Sequence, residues 1–128
     1  MNHSSVDTQQ LGDKLFNALI EAQGIAPLTE SHPDLTLEQA YQIQQHLIAR
    51  RLAGGERIIG KKIGVTSQAV MGMLGVRQPD FGQLTDAMVV DQGASVAMAG
   101  LIQPKAEGEI AFILKHDLSG PGITVADV

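Results

Sequence analysis

The chain has 128 residues, 44% of them hydrophobic, a formal net charge of -5 and no cysteine. That length suits one small domain, or part of one, and is short for two. The acidic balance works against a partner that presents dense phosphate, and the missing thiols exclude disulfides, thiolate metal ligands and a cysteine nucleophile.

The opening residues MNHSSVDTQQ lack the apolar run of a secretory signal, and no later stretch reaches membrane-spanning length. A cytoplasmic protein with no membrane partner is the expectation. From Thr8 to about Ala22, the residues Leu11, Leu15, Ala18, Leu19 and Ala22 recur at the three- and four-residue spacing of one helix face, and Gly24 ends the run. The segment IAPLTESHPDL, broken by Pro27 and Pro33, reads as a connecting loop. A second helix starts at Thr36, whose hydroxyl caps while Gln39 reaches back. It runs through Leu37, Ala40, Tyr41, Leu47, Ile48 and Leu52, and Gly54 and Gly55 close it. The cations Arg50, Arg51, Arg57, Lys61 and Lys62 cluster near this boundary. They are split by two glycines and lack interleaved aromatics, so they do not read as a nucleic-acid patch.

After Arg57 the texture turns to β-branched residues and glycines, and RIIGKKIGV predicts a strand over about Arg57 to Val65. Ser67 caps a short helix, SQAVMGML, ended by Gly75. VRQPDFGQL reads as a loop around Pro79 and Gly82, with short strands expected near Ala87 to Val90 and Ala94 to Met98. The clearest strand pattern is EGEIAFIL, Glu107 to Leu114, followed by a turn at Gly120, Pro121 and Gly122. Thr124, with Asp127 three residues on, looks like a further helix cap just before Val128. A sequence cut inside an element is therefore expected. The fold class is α+β, with a helical region over 1–56 and the incomplete start of a β-rich catalytic domain over 57–128.

Strand alternation puts Glu107, Glu109, Ala111 and Ile113 on one face. Carboxylates rooted about 7 Å apart, twice the strand rise, repel unless a cation lies between them. Oxygen-only ligands favour Mg²⁺ or Mn²⁺. On spacing alone, a solvated edge-strand face is the commoner origin of such a pair, although Ala111 and Ile113 argue against full solvation. Lys62 sits between Gly60 and Gly64, which leaves room for an anion to approach; the same glycines also suit a bend or bulge. Asp80, in RQPDFG, is either aimed into a cleft by its loop or bonded to its own backbone. His3, His32, His46 and His116 have no ligand-like spacing, Ser67 lacks a nucleophile-elbow context, and the glycines match no phosphate loop.

Taken in order, GERIIGKKIGVTS, LGVRQPDFGQLTD and LIQPKAEGEIAFIL resemble the 2-hydroxypenta-2,4-dienoate (2-keto-4-pentenoate) hydratases of the fumarylacetoacetate hydrolase superfamily. The resemblance takes in nearly the whole chain, including both N-terminal helices and DLSGPGITVADV. It implies the first part of a β-rich fumarylacetoacetate hydrolase-like fold, and a Mg²⁺ or Mn²⁺ ion held by Glu107, Glu109 and a third carboxylate beyond Val128. Lys62 matches the lysine of the family's G-x-K-x-G-x-T motif and Asp80 the acid of QPDFG, both acid/base or substrate-positioning groups. Lys61 matches a position where the family varies. The implied substrate is a small 2-oxo or 2-hydroxy dienoate from meta-cleavage degradation of aromatic compounds, hydrated to 4-hydroxy-2-oxopentanoate. A homo-oligomer at full length, and a complex with 4-oxalocrotonate decarboxylase, are also implied. Two other readings stand beside it: the sister 4-oxalocrotonate (2-oxo-3-hexenedioate) decarboxylase, and an inactive remnant or interaction piece, since two carboxylates alone make a weak metal site.

Overall fold

The computed structural model describes residues 6–128, so His3 lies outside the described residues. Helix α1, Thr8–Ile20, begins where the Asp7 carboxylate accepts the Gln10 N–H at 2.9 Å. Helix α3, Leu37–Ala53, begins with a reciprocal box in which Thr36 and Gln39 satisfy each other's backbone N–H groups. Between them the predicted loop contains one short helical turn, α2, Leu28–Ser31. Pro27 opens that turn, the position where a missing N–H costs nothing.

Helices α1 and α3 pack together and bury Leu11, Ala18, Ile43 and Ile48. Their closest approach is at Gly12, where an added Cβ would stand 2.5 Å from the Cβ of His46 and 2.9 Å from the carbonyl oxygen of Ile43. Gly12→Ala is therefore expected to destabilise the fold by about 1–2 kcal/mol through overpacking, measured by urea unfolding. At the rim, the Arg50 guanidinium reaches Asp13 at 2.5 Å and lies 4.7 Å over the Phe16 ring.

The sheet has two antiparallel strands, β1 (Ile58–Gly64) and β2 (Asp80–Thr85). Lys62 stands opposite Gly82 and Gly64 opposite Asp80. Helix α4, Gln68–Leu74, fills the connection, capped by the Ser67 hydroxyl and ended by Gly75 at φ 70°. Strand β2 corrects the expectation of a loop. Pro79 stops short of the ladder, and α3 supplies partners to the strand's outer edge: the Phe81 N–H donates to Tyr41 Oη at 3.1 Å, and Gln44 Nε2 donates to the Phe81 carbonyl at 3.0 Å.

A second tie joins the end of α3 to the hairpin. The Glu56 carboxylate accepts from Arg51 Nε at 2.7 Å and from the Thr85 hydroxyl at 2.5 Å, and Thr85 is fully buried. The Thr85 hydrogen bond holds the Glu56 pKa below its ordinary value against an opposing desolvation, and Arg51 adds to the lowering.

Beyond Asp86 the chain forms only 3-10 turns, at Asp86–Met88, Met98–Gly100 and Val125–Asp127. None of the strands expected over 87–90, 94–98 and 107–114 forms. An alternating pattern says which face a strand buries, but a strand exists only when another strand pairs with it. EGEIAFIL finds none among the described residues, and Ile113 is left 99% exposed. The cap expected at Thr124 does form, with Asp127 closing it. The architecture is α+β, and among the described residues no helix is long and apolar enough to cross a membrane.

Candidate functional site

In an antiparallel pair, directly opposed residues and residues two apart share a face. The register therefore puts Lys62 and Asp80 on one face of the hairpin, with Gly60, Gly64 and Gly82 around them. A side chain at Gly64 would run into the Asp80 carboxylate, so the glycine lets that carboxylate lie close over the strand. Lys61, opposite Gln83, lies on the other face and makes no ion pair among the described residues.

Glu107 and Glu109 come to the same place from the extended segment after Met98–Gly100. Lys62 Nζ donates to Glu109 Oε1 at 2.7 Å and stands 3.9 Å from Glu107 Oε2. The four side chains singled out in the sequence, Lys62, Asp80, Glu107 and Glu109, thus gather around one ammonium. The hydrogen bond to Glu109 raises the Lys62 pKa against a desolvation that lowers it, and the negative charges of Glu109, Glu107 and Asp80 raise it further. Lys62 is held as a cation. Because the group is exposed, this is a local preference rather than a source of stability.

The donor chemistry suits a hard divalent ion. Two carboxylates converge on a single ammonium, and every donor is oxygen, the ligand type that hard divalent ions take. The set is incomplete, since no group of three or more His, Asp or Glu side chains among the described residues is placed to hold an ion. Glu107 and Glu109 share this target without the strand on which their common face was predicted.

The basic cluster near Gly54 is largely neutralised: Arg50 pairs with Asp13, Arg51 with Glu56, Arg57 with Asp86 and Lys62 with Glu109. His32 meets the Ser31 hydroxyl at 2.9 Å, and the Cβ of His46 lies against Gly12. Sequence reasoning missed a cavity of ≈ 400 Å³ beside Asp80, lined in part by Leu37, Tyr41, Val65, Leu74 and Arg77. It also missed Gln83, whose side-chain oxygen is buried with no partner. Tyr41 shows in the sequence only as an apolar-face residue of α3, and nothing in the sequence marks the polar tip that reaches β2.

No family model matches the chain. The 2-hydroxyhexa-2,4-dienoate hydratase of Comamonas testosteroni is 58% identical over 125 residues, covering 96% of this chain and 47% of its own length. The 2-hydroxypent-2,4-dienoate hydratase of Pseudomonas putida is 58% identical over 120 residues, covering 93% of this chain and 54% of its own length. A solved structure of 4-oxalocrotonate decarboxylase from Pseudomonas putida G7, complexed with calcium and acetate, matches with a TM-score of 0.74 at 32% identity, over 79% of this chain and 40% of that one. The same protein complexed with magnesium and adipate matches with a TM-score of 0.62, over 67% of this chain and 34% of that one. The chain is a sequence relative of the 2-hydroxypenta-2,4-dienoate (2-keto-4-pentenoate) hydratases over nearly all of its own length and about half of theirs.

Proposed function

We propose that the chain is part of a divalent-metal-dependent hydratase that adds water to 2-hydroxypenta-2,4-dienoate, giving 4-hydroxy-2-oxopentanoate. Glu107 and Glu109 are its metal ligands, and Lys62 and Asp80 serve the substrate. The observation that carries this reading is the convergence of Glu107 and Glu109 on one cation, in a chain whose relatives at 58% identity are hydratases. Calcium and magnesium in the structural neighbour support a divalent ion, and Mg²⁺ or Mn²⁺ fits an all-oxygen donor set. We place the chain in the β-rich fumarylacetoacetate hydrolase-like fold. There Glu107 to Leu114 becomes a paired strand, and its exposed Ile110, Phe112 and Ile113 are covered.

When bound, the ion supplies electron withdrawal from the substrate's carboxylate and 2-oxygen, favouring the keto form and leaving C4 open to water. The proton balance then defines the work of the side chains. The enol O–H loses a proton and C5 gains one; hydroxide from water adds at C4 and the remaining proton goes to C3. Asp80 takes and returns protons in this reading, which its approach over Gly64 supports. Lys62, a flexible ammonium on the same glycine-lined face, holds negative charge on the substrate.

The decarboxylase reading draws on the structural neighbours, and product analysis separates the two. A protein extended to its relatives' length is expected to give hydrated product from 2-hydroxypenta-2,4-dienoate and no CO₂ from 2-oxo-3-hexenedioate; CO₂ release without hydration would overturn the proposal. The 128-residue chain alone is expected to turn over neither substrate, because its described residues supply too few ligands.

A further inference from the structure

We propose that Lys62 is the built-in counter-ion of the Glu107 and Glu109 pair, and that a divalent cation binding there displaces it. This rests on the metal reading above and adds an order of events to it. The ammonium contacts Glu109 and stands near Glu107, at the point on which their oxygens converge. An ammonium and a divalent ion of like sign cannot share that point. The lysine has somewhere to go. Its stem is flexible, its neighbours Gly60, Gly64 and Gly82 on that face leave space beside it, Leu84 stands further along opposite Gly60, and Asp80 shares the face.

Charge supports the exchange. Asp80, Glu107 and Glu109 with Lys62 sum to -2, and a divalent ion brings the group to zero with the lysine still on the same face. The displaced ammonium is then free to meet an anionic acid. Metal binds first, and the lysine that binding frees becomes part of the site for the acid. Without metal, the same lysine keeps two neighbouring glutamates from repelling each other.

The test is Mn²⁺ affinity of the protein extended to its relatives' length, by calorimetry, for the unaltered protein, Lys62→Gln, Lys61→Gln and Glu107→Ala/Glu109→Ala. Lys61→Gln removes the same charge from the opposite face. Expected are at least about tenfold tighter binding for Lys62→Gln, a change below about twofold for Lys61→Gln, and loss of binding in the double glutamate variant. In the unaltered protein, Mn²⁺ should also speed acetylation of Lys62, read by mass spectrometry, and leave Lys61 unchanged. Equal or weaker binding by Lys62→Gln, no binding by either protein, an equal gain with Lys61→Gln, or Lys62 labelling indifferent to Mn²⁺ would each overturn the inference. Binding that survives loss of both glutamates sinks the metal reading itself.

Discussion

Replacing both Glu107 and Glu109 with alanine, in a protein extended to its relatives' length, is expected to lower kcat for hydration by more than about a thousandfold. A bound divalent ion contributes several kcal/mol to stabilising charge in such reactions, and about 4 kcal/mol corresponds to that factor. Both side chains are more than half exposed, and their contact is an ion pair at the surface. Their loss should therefore leave the unfolding free energy within about 0.5 kcal/mol. Activity lost at unchanged stability assigns the pair to the reaction. Glutamine at both positions should be nearly as damaging, because the amides keep the shape and lose the charge.

Glu56→Ala is expected to be the most destabilising of the substitutions considered, by about 2–3 kcal/mol. It leaves the buried Thr85 hydroxyl and the mostly buried Arg51 guanidinium without their shared acceptor. The loss should depend on pH in a defined direction. The folded pKa of Glu56 is lowered from 4.5, so its contribution is fully present above the unfolded value and is lost as pH falls through the folded one. Urea unfolding at pH 7 and again below pH ~4 checks this: the gap between the two proteins should be wide at neutral pH and should narrow in acid. Thr85 ends the strand that carries Asp80, so loosening this tie should also disturb the site.

The parts of the fold legible in the sequence are those whose signals are local. The caps at Thr36, Ser67 and Thr124, the closing glycine Gly75 and the apolar spacing of α1 all work through neighbours within a few residues. Strand β2 was hidden because Pro79 and Gly82 are turn formers by themselves. It took Tyr41 and Gln44, some forty residues away in sequence, to hold its outer edge. EGEIAFIL failed in the opposite sense, with a strong pattern and no partner among the described residues. The candidate residues, a Glu-x-Glu pair, a lysine between glycines and an acid in a QPDFG stretch, each read as ordinary surface or turn residues alone, and the family resemblance singled them out. What could not be read was that Lys62 and the two glutamates meet, since that contact depends on how a segment after residue 100 lies over the hairpin.

The most direct measurement is anomalous scattering from crystals of the extended protein grown with Mn²⁺ and a non-reactive 2-oxo acid. The expected result is a manganese peak within coordination distance of both Glu107 and Glu109, with the acid's carboxylate and 2-oxygen on the same ion. A peak elsewhere, or none while Lys62 remains seated between the two carboxylates, would contradict it.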